Sequence, residues 1–149
     1  MNEKIFELLD RENVQLASIG KRAFAFAIDE IIISVLFFAI YYDSFAKASS
    51  TEVIISLVNS LVFYILLLKI IYHTFFVWYY GATIGKLIVR IRIVSYLDVE
   101  NPDLIYSFLR ALIRTAGEMI FYVTYLPAIF TPSKQTLHDK VAKTLVIDV

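Results

Sequence analysis

Two charged side chains near the start of the first apolar stretch have a spacing that can support ion chemistry. Arg22 and Asp29 lie seven positions apart, which places them two turns apart on one helical face. An ionised carboxylate in hydrocarbon is costly, so Asp29 must contact protein, water or a cation. It is therefore predicted to be either a proton or cation site, or a polar packing anchor held by an arginine or a backbone donor.

Lys69 and His73 lie in the second apolar stretch, where they can supply a basic partner for Asp29. At about 1.5 Å per residue, Asp29 and His73 each lie about 10 Å inside their stretch, and Lys69 is about one turn deeper. Antiparallel helices would match these depths, which predicts a pair of Asp29 with Lys69 or His73. A histidine beside a carboxylate can titrate near neutral pH. Alternatively, Lys69 snorkels or binds an acid of another subunit. Glu30 is predicted at a helix seam or at a partner.

A third charged group follows later in the chain. Arg110, Arg114 and Glu118 are spaced four residues apart and share one helical face. Arg114 and Glu118 have the spacing of a helical ion pair. The two arginines are predicted to bind lipid phosphate or to form a salt bridge with Asp139. The alternative is a solvated basic stripe on the inner face of the membrane.

His138 and Asp139 are adjacent, and adjacent side chains rarely orient each other, so they do not indicate a catalytic dyad. Asp139 is predicted to fasten the C-terminal tail to Arg110 or Arg22. His138 is predicted to lie on the cytoplasmic face.

The segment Gly81–Lys86 has the pattern G-x-x-x-G-K, which resembles a phosphate-binding loop superficially. It is one residue short, and Leu87 replaces the required serine or threonine. It also precedes a predicted strand rather than a helix, which excludes a nucleotide site. Gly81 and Gly85 are instead predicted to form a tight helix-to-strand turn on the cytoplasmic side, with Lys86 beside it.

The composition excludes several classes of function. There are no cysteines, so disulfides, thiolate metal sites and cysteine nucleophiles do not occur. The sequence has no zinc motif, no serine nucleophile elbow and no paired-carboxylate spacing. We therefore predict a protein that is not an enzyme, with no catalytic residue, no metal and no cofactor. Lys and Arg number 14, as do Asp and Glu, so no overall field recruits nucleic acid.

The apolar residues are clustered, and this predicts an all-α membrane protein with one domain over residues 1–149. The chain is 59% hydrophobic with a mean hydropathy of +0.70, against about 45–50% apolar residues in soluble domains. Segments 23–42 and 53–80 are each long enough to cross a bilayer, which takes about 20 residues. A third hydrophobic segment covers 104–130. Residues 1–21 are predicted to be a cytoplasmic segment, either a short surface helix or a loosely ordered tail.

Two segments change to the period of a strand. Residues 87–94 and 144–149 each alternate apolar and other side chains. They are predicted to pair outside the hydrocarbon, because an unpaired strand edge exposes backbone groups. This short cytoplasmic β-strand pair would place Asp148 near Arg90 or Arg92.

The basic residues predict the orientation of the chain, since Lys and Arg mark the cytoplasmic side. They are frequent before the first apolar segment, between the second and the third, and in the C-terminal tail, and scarce between the first and the second. Both termini are therefore predicted to be cytoplasmic. The third hydrophobic segment would then be a bent, re-entrant or hairpin element, or an interfacial helix that does not cross, rather than a third plain span.

Four segments in order resemble the RDD family of small bacterial membrane proteins: 18–29, 81–86 with the following strand, 109–114 and 135–144. The family is named for one arginine and two aspartates, which fall here on Arg22, Asp29 and Asp139. The segment 97–102 departs from the family, since many members have an Asp-Gly turn there. Lys69 and His73 are also outside the pattern.

The resemblance implies a multi-pass protein of the bacterial inner membrane that acts in transport of an unidentified ligand or ion. Two functions remain open. In the first, Asp29 couples ion movement, and the chain works as a homo-oligomer. In the second, the chain is an accessory, assembly or chaperone-like subunit that presents intramembrane charges to a larger membrane complex. The small size favours the second, because two or three spans do not easily enclose a pathway.

Overall fold

Two long helices dominate the structure because the apolar stretches 23–42 and 53–80 contain no proline. In this computed structural model, which describes residues 2–149, helix α2 (Ile19–Ile40) begins after Ser18, whose hydroxyl accepts a hydrogen bond from the Lys21 amide at 3.2 Å. Helix α4 (Thr51–Tyr80) begins in the same way after Ser50, and Gly81, which has a left-handed φ of +68°, caps its C-terminal end. Both helices are long and apolar enough to cross a membrane. Only 6% of the apolar window of α4 is buried, the opposite of a core helix in a soluble protein.

The elements follow one another along the chain as short helices around these two long ones. In order they are α1 (Asn2–Arg11), α2 (Ile19–Ile40), α3 (Tyr42–Ala46), α4 (Thr51–Tyr80), α5 (Ile84–Ile88), β1 (Ile91–Ser95), α6 (Leu104–Met119), a 3-10 turn (Val123–Tyr125), α7 (Pro127–Phe130), α8 (Leu137–Val141) and β2 (Thr144–Asp148).

The two strands form an antiparallel pair, which confirms the predicted pairing. Ile91 lies opposite Asp148, and Ser95 lies opposite Thr144. The predicted start of the first strand at Leu87 is wrong, because the turn after α4 continues as the short helix α5. There the Leu87 amide donates to the Thr83 carbonyl at 2.9 Å, so the strand begins only after it.

The sequence predicted that Asp148 lies near Arg90 or Arg92, but its side chain forms an ion pair with neither of these arginines. Its carboxylate forms an ion pair with Lys21 at 3.0 Å, whereas Arg92 donates to the side chain of Asn101. The reason is the register: Asp148 lies opposite Ile91, and the neighbours of Ile91 point to the other face of the sheet.

The sheet packs between the N-terminal segment and the cytoplasmic-side ends predicted for the long helices. On one face, Ile5 and Leu9 of α1 are buried against Val94, Leu145 and Ile147. The helix α1 is therefore present, which was one of the two alternatives predicted for residues 1–21, the other being a loosely ordered tail. The other face of the sheet has its own buried cluster, formed by Ala17, Ala25, Val77, Ile91, Ile93 and Val146.

The third hydrophobic segment is not one continuous helix. Helix α6 ends at Met119, and Phe121 and Tyr122 then have positive φ angles of 53° and 60°. The Tyr122 amide donates back to the Gly117 carbonyl at 2.9 Å. The chain continues through the 3-10 turn into α7, so the segment is bent, as predicted from the orientation conflict.

Candidate functional site

Asp29 is fully buried and its carboxylate is surrounded by donors. Tyr72 donates its hydroxyl to Oδ1 at 2.9 Å, and Thr83 donates to Oδ2 at 2.6 Å. The Gly85 amide donates to Oδ1 at 2.9 Å. The ammonium of Lys86 lies 3.9 Å from Oδ2. Three of these four partners belong to the turn after α4, so Asp29 ties that turn to the middle of α2.

Gly85 allows this close approach of backbone and carboxylate. A Cβ atom at this position would lie 2.9 Å from the Asp29 Cγ and would overlap the Ala25 carbonyl. The G-x-x-x-G-K pattern therefore serves a binding turn, but the group that it binds is a carboxylate of the same chain. The hydroxyl of Tyr72 completes the turn by accepting a hydrogen bond from the Ile84 amide at 3.3 Å.

The predicted pair of Asp29 with Lys69 or His73 is wrong. Lys69 instead donates to Glu30 and Glu118, both at 2.7 Å. Equal depth does not bring two side chains together, because the rotation of each helix about its axis decides which side chains face each other. At this depth Tyr72 of α4 faces Asp29.

Arg114 joins Glu118, Glu30 and His73 with Lys69 into one charge cluster between α2, α4 and α6. Its Nε donates to Glu118 at 3.2 Å, as the four-residue spacing predicted, and Nη2 lies 3.8 Å from Glu30. Nη1 lies 3.0 Å from the His73 Nδ1. Because a guanidinium only donates hydrogen bonds, this histidine nitrogen accepts. Glu118 belongs to this cluster because it contacts both Lys69 and Arg114.

Asp139 is the second buried carboxylate, and it is held by arginines. Arg110 forms a close ion pair with Oδ1, and Arg22 lies 3.5 Å from Oδ2. Asp139 also accepts from the Thr136 amide at 2.9 Å, in a capping box that begins α8. Burial alone would raise the pKa of Asp139, but the Arg110 charge, with a smaller contribution from that of Arg22, holds that pKa below its ordinary value. The predicted fastening of the tail is confirmed, with both arginines.

The arginines extend this contact to the rest of the tail. Arg110 donates to the Thr144 hydroxyl at 2.7 Å. Arg22 donates to the Lys134 carbonyl and to the Val146 carbonyl, the latter at 3.1 Å. The two arginines thus connect α2 and α6 to the segment that leads into β2.

A cavity of about 270 Å³ lies between the start of α2, the middle of α6 and the bend that follows it. Its floor is buried and charged: Lys86, Arg110 and Arg114 line it together with Asp139 and His138. Its wall and rim are mostly apolar. The lining residues include Ile19, Arg22, Ala23, Phe26, Tyr122, Tyr125, Ala128, Ile129, Thr136 and Val146.

Burial changes the protonation of two floor residues. It lowers the pKa of Lys86 to about 7, and the neighbouring Arg114 charge acts in the same direction. Burial also lowers the pKa of His138 well below its ordinary value, so this imidazole is neutral at pH 7. Within residues 2–149, no group hydrogen-bonds the His138 Nδ1.

Residues 16–143 match the RDD family, which is most of the chain. The chain belongs to the RDD family. The "Uncharacterized protein RP437" of Rickettsia prowazekii (strain Madrid E) is 35% identical over 95 residues, which cover 61% of this RDD protein and 51% of the relative. This RDD protein therefore spans about half the length of that curated relative. No solved structure matches it.

The motif residues of this RDD protein fall into two contacts. In the first contact, Asp29 accepts a hydrogen bond from the Gly85 amide and holds the turn after α4. In the second contact, Arg22 forms an ion pair with Asp139. With Lys86 protonated, the residues of these buried and half-buried ion pairs together carry one excess positive charge. The basic members are Arg22, Lys69, Lys86, Arg110 and Arg114, and the acidic ones are Asp29, Glu30, Glu118 and Asp139.

Sequence reasoning missed several members of these contacts. Thr136 carried a signal, since a threonine three residues before an acid is typical of a capping box. Tyr72 and Thr83 carried none, because they are 43 and 54 residues from Asp29 in the sequence. Only the packing of α2 on α4 and α5 brings them to the carboxylate.

Proposed function

We propose that this RDD protein is a non-enzymatic, multi-pass protein of the bacterial inner membrane that takes part in transport of an anionic ligand. The observation that carries the proposal is the cavity, which is lined by four basic side chains and one carboxylate. A buried site with excess positive charge favours an anion, because a ligand of opposite charge offsets the cost of burying the cations.

The cavity adjoins the charge cluster between the long helices. Arg114 lines the cavity and also contacts Glu118 and Glu30, so one guanidinium belongs to both. An anion that binds Arg114 competes with these carboxylates, which links binding in the cavity to the arrangement of charges deeper in the protein. Asp29 is fully buried and accepts three hydrogen bonds from its own chain, so in this proposal it anchors the turn and does not couple ions.

We infer the orientation of the protein in the membrane from its sheet. β1 follows α4, β2 ends the chain, and α1 packs on both strands. Directly paired strands lie on one side of a membrane, and the basic flanking residues favour the cytoplasmic side. We expect a fluorescent-protein fusion after Val149 to be bright and an alkaline-phosphatase fusion there to be inactive. An active phosphatase fusion would contradict this orientation.

Transport is tested with the purified full-length protein in liposomes. Two probes are used: radiolabelled inorganic phosphate for soluble anions, and fluorescent phosphatidylglycerol for movement between leaflets. The variant Ala23→Phe places a ring in the cavity from an exposed wall position, and Ala39→Phe makes the same change at an exposed position near the other end of α2.

We expect one of the probes to move faster than in empty liposomes, with the movement lost in Ala23→Phe and kept in Ala39→Phe. If neither probe moves, or if both variants behave like the wild type, the transport proposal is wrong.

A second candidate, an accessory subunit, is favoured by one observation. The Glu30 side chain is 27% exposed although it lies in the middle of α2 and pairs with Lys69. A partner helix that covers this position would complete the burial of the pair. Affinity purification at native expression level, read by mass spectrometry, tests the idea. A stoichiometric unrelated membrane protein would support it, whereas self-association alone would support a homo-oligomer and the transport function.

A further inference from the structure

We infer that the cavity binds the phosphate headgroup of an anionic phospholipid, whose acyl chains leave the protein over the apolar rim. The inference rests on the proposed function only in sharing its anion site. It needs no transport, since a lipid can bind there without moving between leaflets.

The floor has the donors that a phosphate group needs. Lys86, Arg110 and Arg114 are each at least nine-tenths buried and line the same cavity. A guanidinium matches the geometry of phosphate oxygens and an ammonium adds a compact charge. Over the described part of the chain, the buried Arg22 Nε and Arg114 Nη2 have no hydrogen-bond partner. The floor therefore has donor capacity beyond what Asp139 uses.

His138 is a second, independent indication of a ligand. Its side chain is 3% exposed and its edge packs against Tyr125, with ring centroids 5.1 Å apart. Its Nδ1 is buried and lacks a partner among residues 2–149. A buried polar atom without a hydrogen bond is costly, so a ligand oxygen or hydroxyl at this place would satisfy it.

The rim distinguishes a lipid from a free anion. Ile19, Tyr122 and Ile129 line the cavity and are also exposed on the outside of the protein. Beside them, in the bend, Phe121 is 93% exposed and Phe130 is 80% exposed. Large apolar side chains this exposed are typical of a surface that faces lipid, and aromatic rings favour the headgroup region. The charged floor is thus reached across an apolar mouth, as an amphiphile would reach it.

The volume sets how much of the lipid enters. At about 270 Å³ the cavity is smaller than sites for drug-sized ligands, which occupy about 300–1,000 Å³. A headgroup fits such a space, and two acyl chains do not. The chains must therefore remain outside, in contact with the exposed apolar side chains of the rim.

The test measures binding to the purified full-length protein in neutral detergent. The probes are dioctanoyl phosphatidylglycerol, dioctanoyl phosphatidylcholine and inorganic phosphate. The variant Ile129→Glu adds a negative charge at the rim, where the side chain is 61% exposed and removal costs little packing. Its control, Ile105→Glu, makes the same change at a 70% exposed position of α6 that does not line the cavity.

We expect saturable binding of phosphatidylglycerol, with an affinity about tenfold lower in Ile129→Glu, where the added charge repels the lipid phosphate by about 1.4 kcal/mol, and unchanged in Ile105→Glu. Phosphatidylcholine and inorganic phosphate should bind more weakly. The inference is overturned if phosphatidylglycerol does not saturate, if both variants bind like the wild type, or if inorganic phosphate binds as tightly as the lipid. Lipid binding without flux would reject the transport function alone, and phosphate flux without lipid binding would reject this inference alone.

Discussion

Asp29 and Asp139 are both buried aspartates of the family motif, but different kinds of donor hold them. Asp29 accepts hydrogen bonds from two hydroxyls and one backbone amide, and its nearest cation is 3.9 Å away. Asp139 contacts two guanidinium groups and one backbone amide. The first carboxylate is satisfied mainly by neutral dipoles, and the second mainly by charge.

This difference assigns a separate task to each aspartate. Neutral donors can rearrange around a neutral side chain of the same shape, because hydroxyls both donate and accept. Buried guanidinium groups cannot, because they only donate and always carry charge. We therefore interpret Asp29 as the anchor of the turn after α4. We interpret Asp139 as the charge that keeps the arginines of the cavity together.

The largest expected effect is that of removing the Asp139 charge. Asp139→Asn leaves Arg110 and Arg22 without their shared anion, and removing one partner of a buried pair costs about 3–5 kcal/mol. Asp29→Asn should cost less, since its neutral donors remain usable. Thermal unfolding and the folded amount in membranes measure both, with Asp98→Asn as an exposed control.

Two outcomes would break the comparison. If Asp29→Asn costs as much as Asp139→Asn, the distinction between dipoles and charge is wrong. If Asp139→Asn leaves abundance and melting unchanged but abolishes transport, Asp139 acts directly in function.

A smaller effect is expected from Tyr72→Phe, which removes a hydroxyl that serves two groups. Asp29 loses one donor and the Ile84 amide loses its acceptor. Hydrogen bonds to charged groups contribute about 1.5–3 kcal/mol, so the free energy of unfolding should fall by that amount. Tyr79→Phe, at an exposed position of the same helix, is the matched control. An unchanged melting temperature in Tyr72→Phe would mean that Thr83 and the Gly85 amide suffice.

Gly85→Ala tests whether the turn needs the close approach to Asp29. The added methyl group would overlap the Ala25 carbonyl and crowd the carboxylate, and overpacking costs about 1–3 kcal/mol. Gly20→Ala is the control, because a Cβ there meets nothing within 4 Å and alanine favours a helix. We expect a lower melting temperature for Gly85→Ala and an equal or higher one for Gly20→Ala. The opposite order would refute the packing described for the turn.

The smallest expected effect is a dependence of stability on pH through Lys86. Its pKa in the folded protein is about 7, below the ordinary value for lysine. Above pH 7 the unfolded chain therefore binds more protons than the folded one, so stability rises with pH. Between pH 7 and pH 8 the rise should be about 1 kcal/mol.

Lys86→Met removes the titrating group, so its unfolding free energy should not show this rise. A wild type with flat stability over this interval would mean that Lys86 stays charged, held by Asp29.

Periodicity and segment length determined much of this protein. They predicted the two long helices and the pairing of the two strands, because both depend on a simple apolar pattern. The bend of the third segment was predicted from the basic residues on both sides of it, which favour the same side of the membrane. The sequence also predicted that Asp139 fastens the tail to Arg110 or Arg22, and the structure has both contacts. The motif spacing sufficed for the family.

Only the tertiary structure decided which buried charges meet. The depth of a residue along two antiparallel helices follows from the rise of about 1.5 Å per residue, but the rotation of each helix about its axis does not. The sequence therefore predicted Lys69 or His73 as the partner of Asp29, whereas the carboxylate accepts a hydrogen bond from Tyr72. The cavity was likewise invisible in the sequence, because its lining comes from distant segments. Local pattern defines which side chains share a face of one helix. The packing of faces from several helices defines which of those side chains form a site.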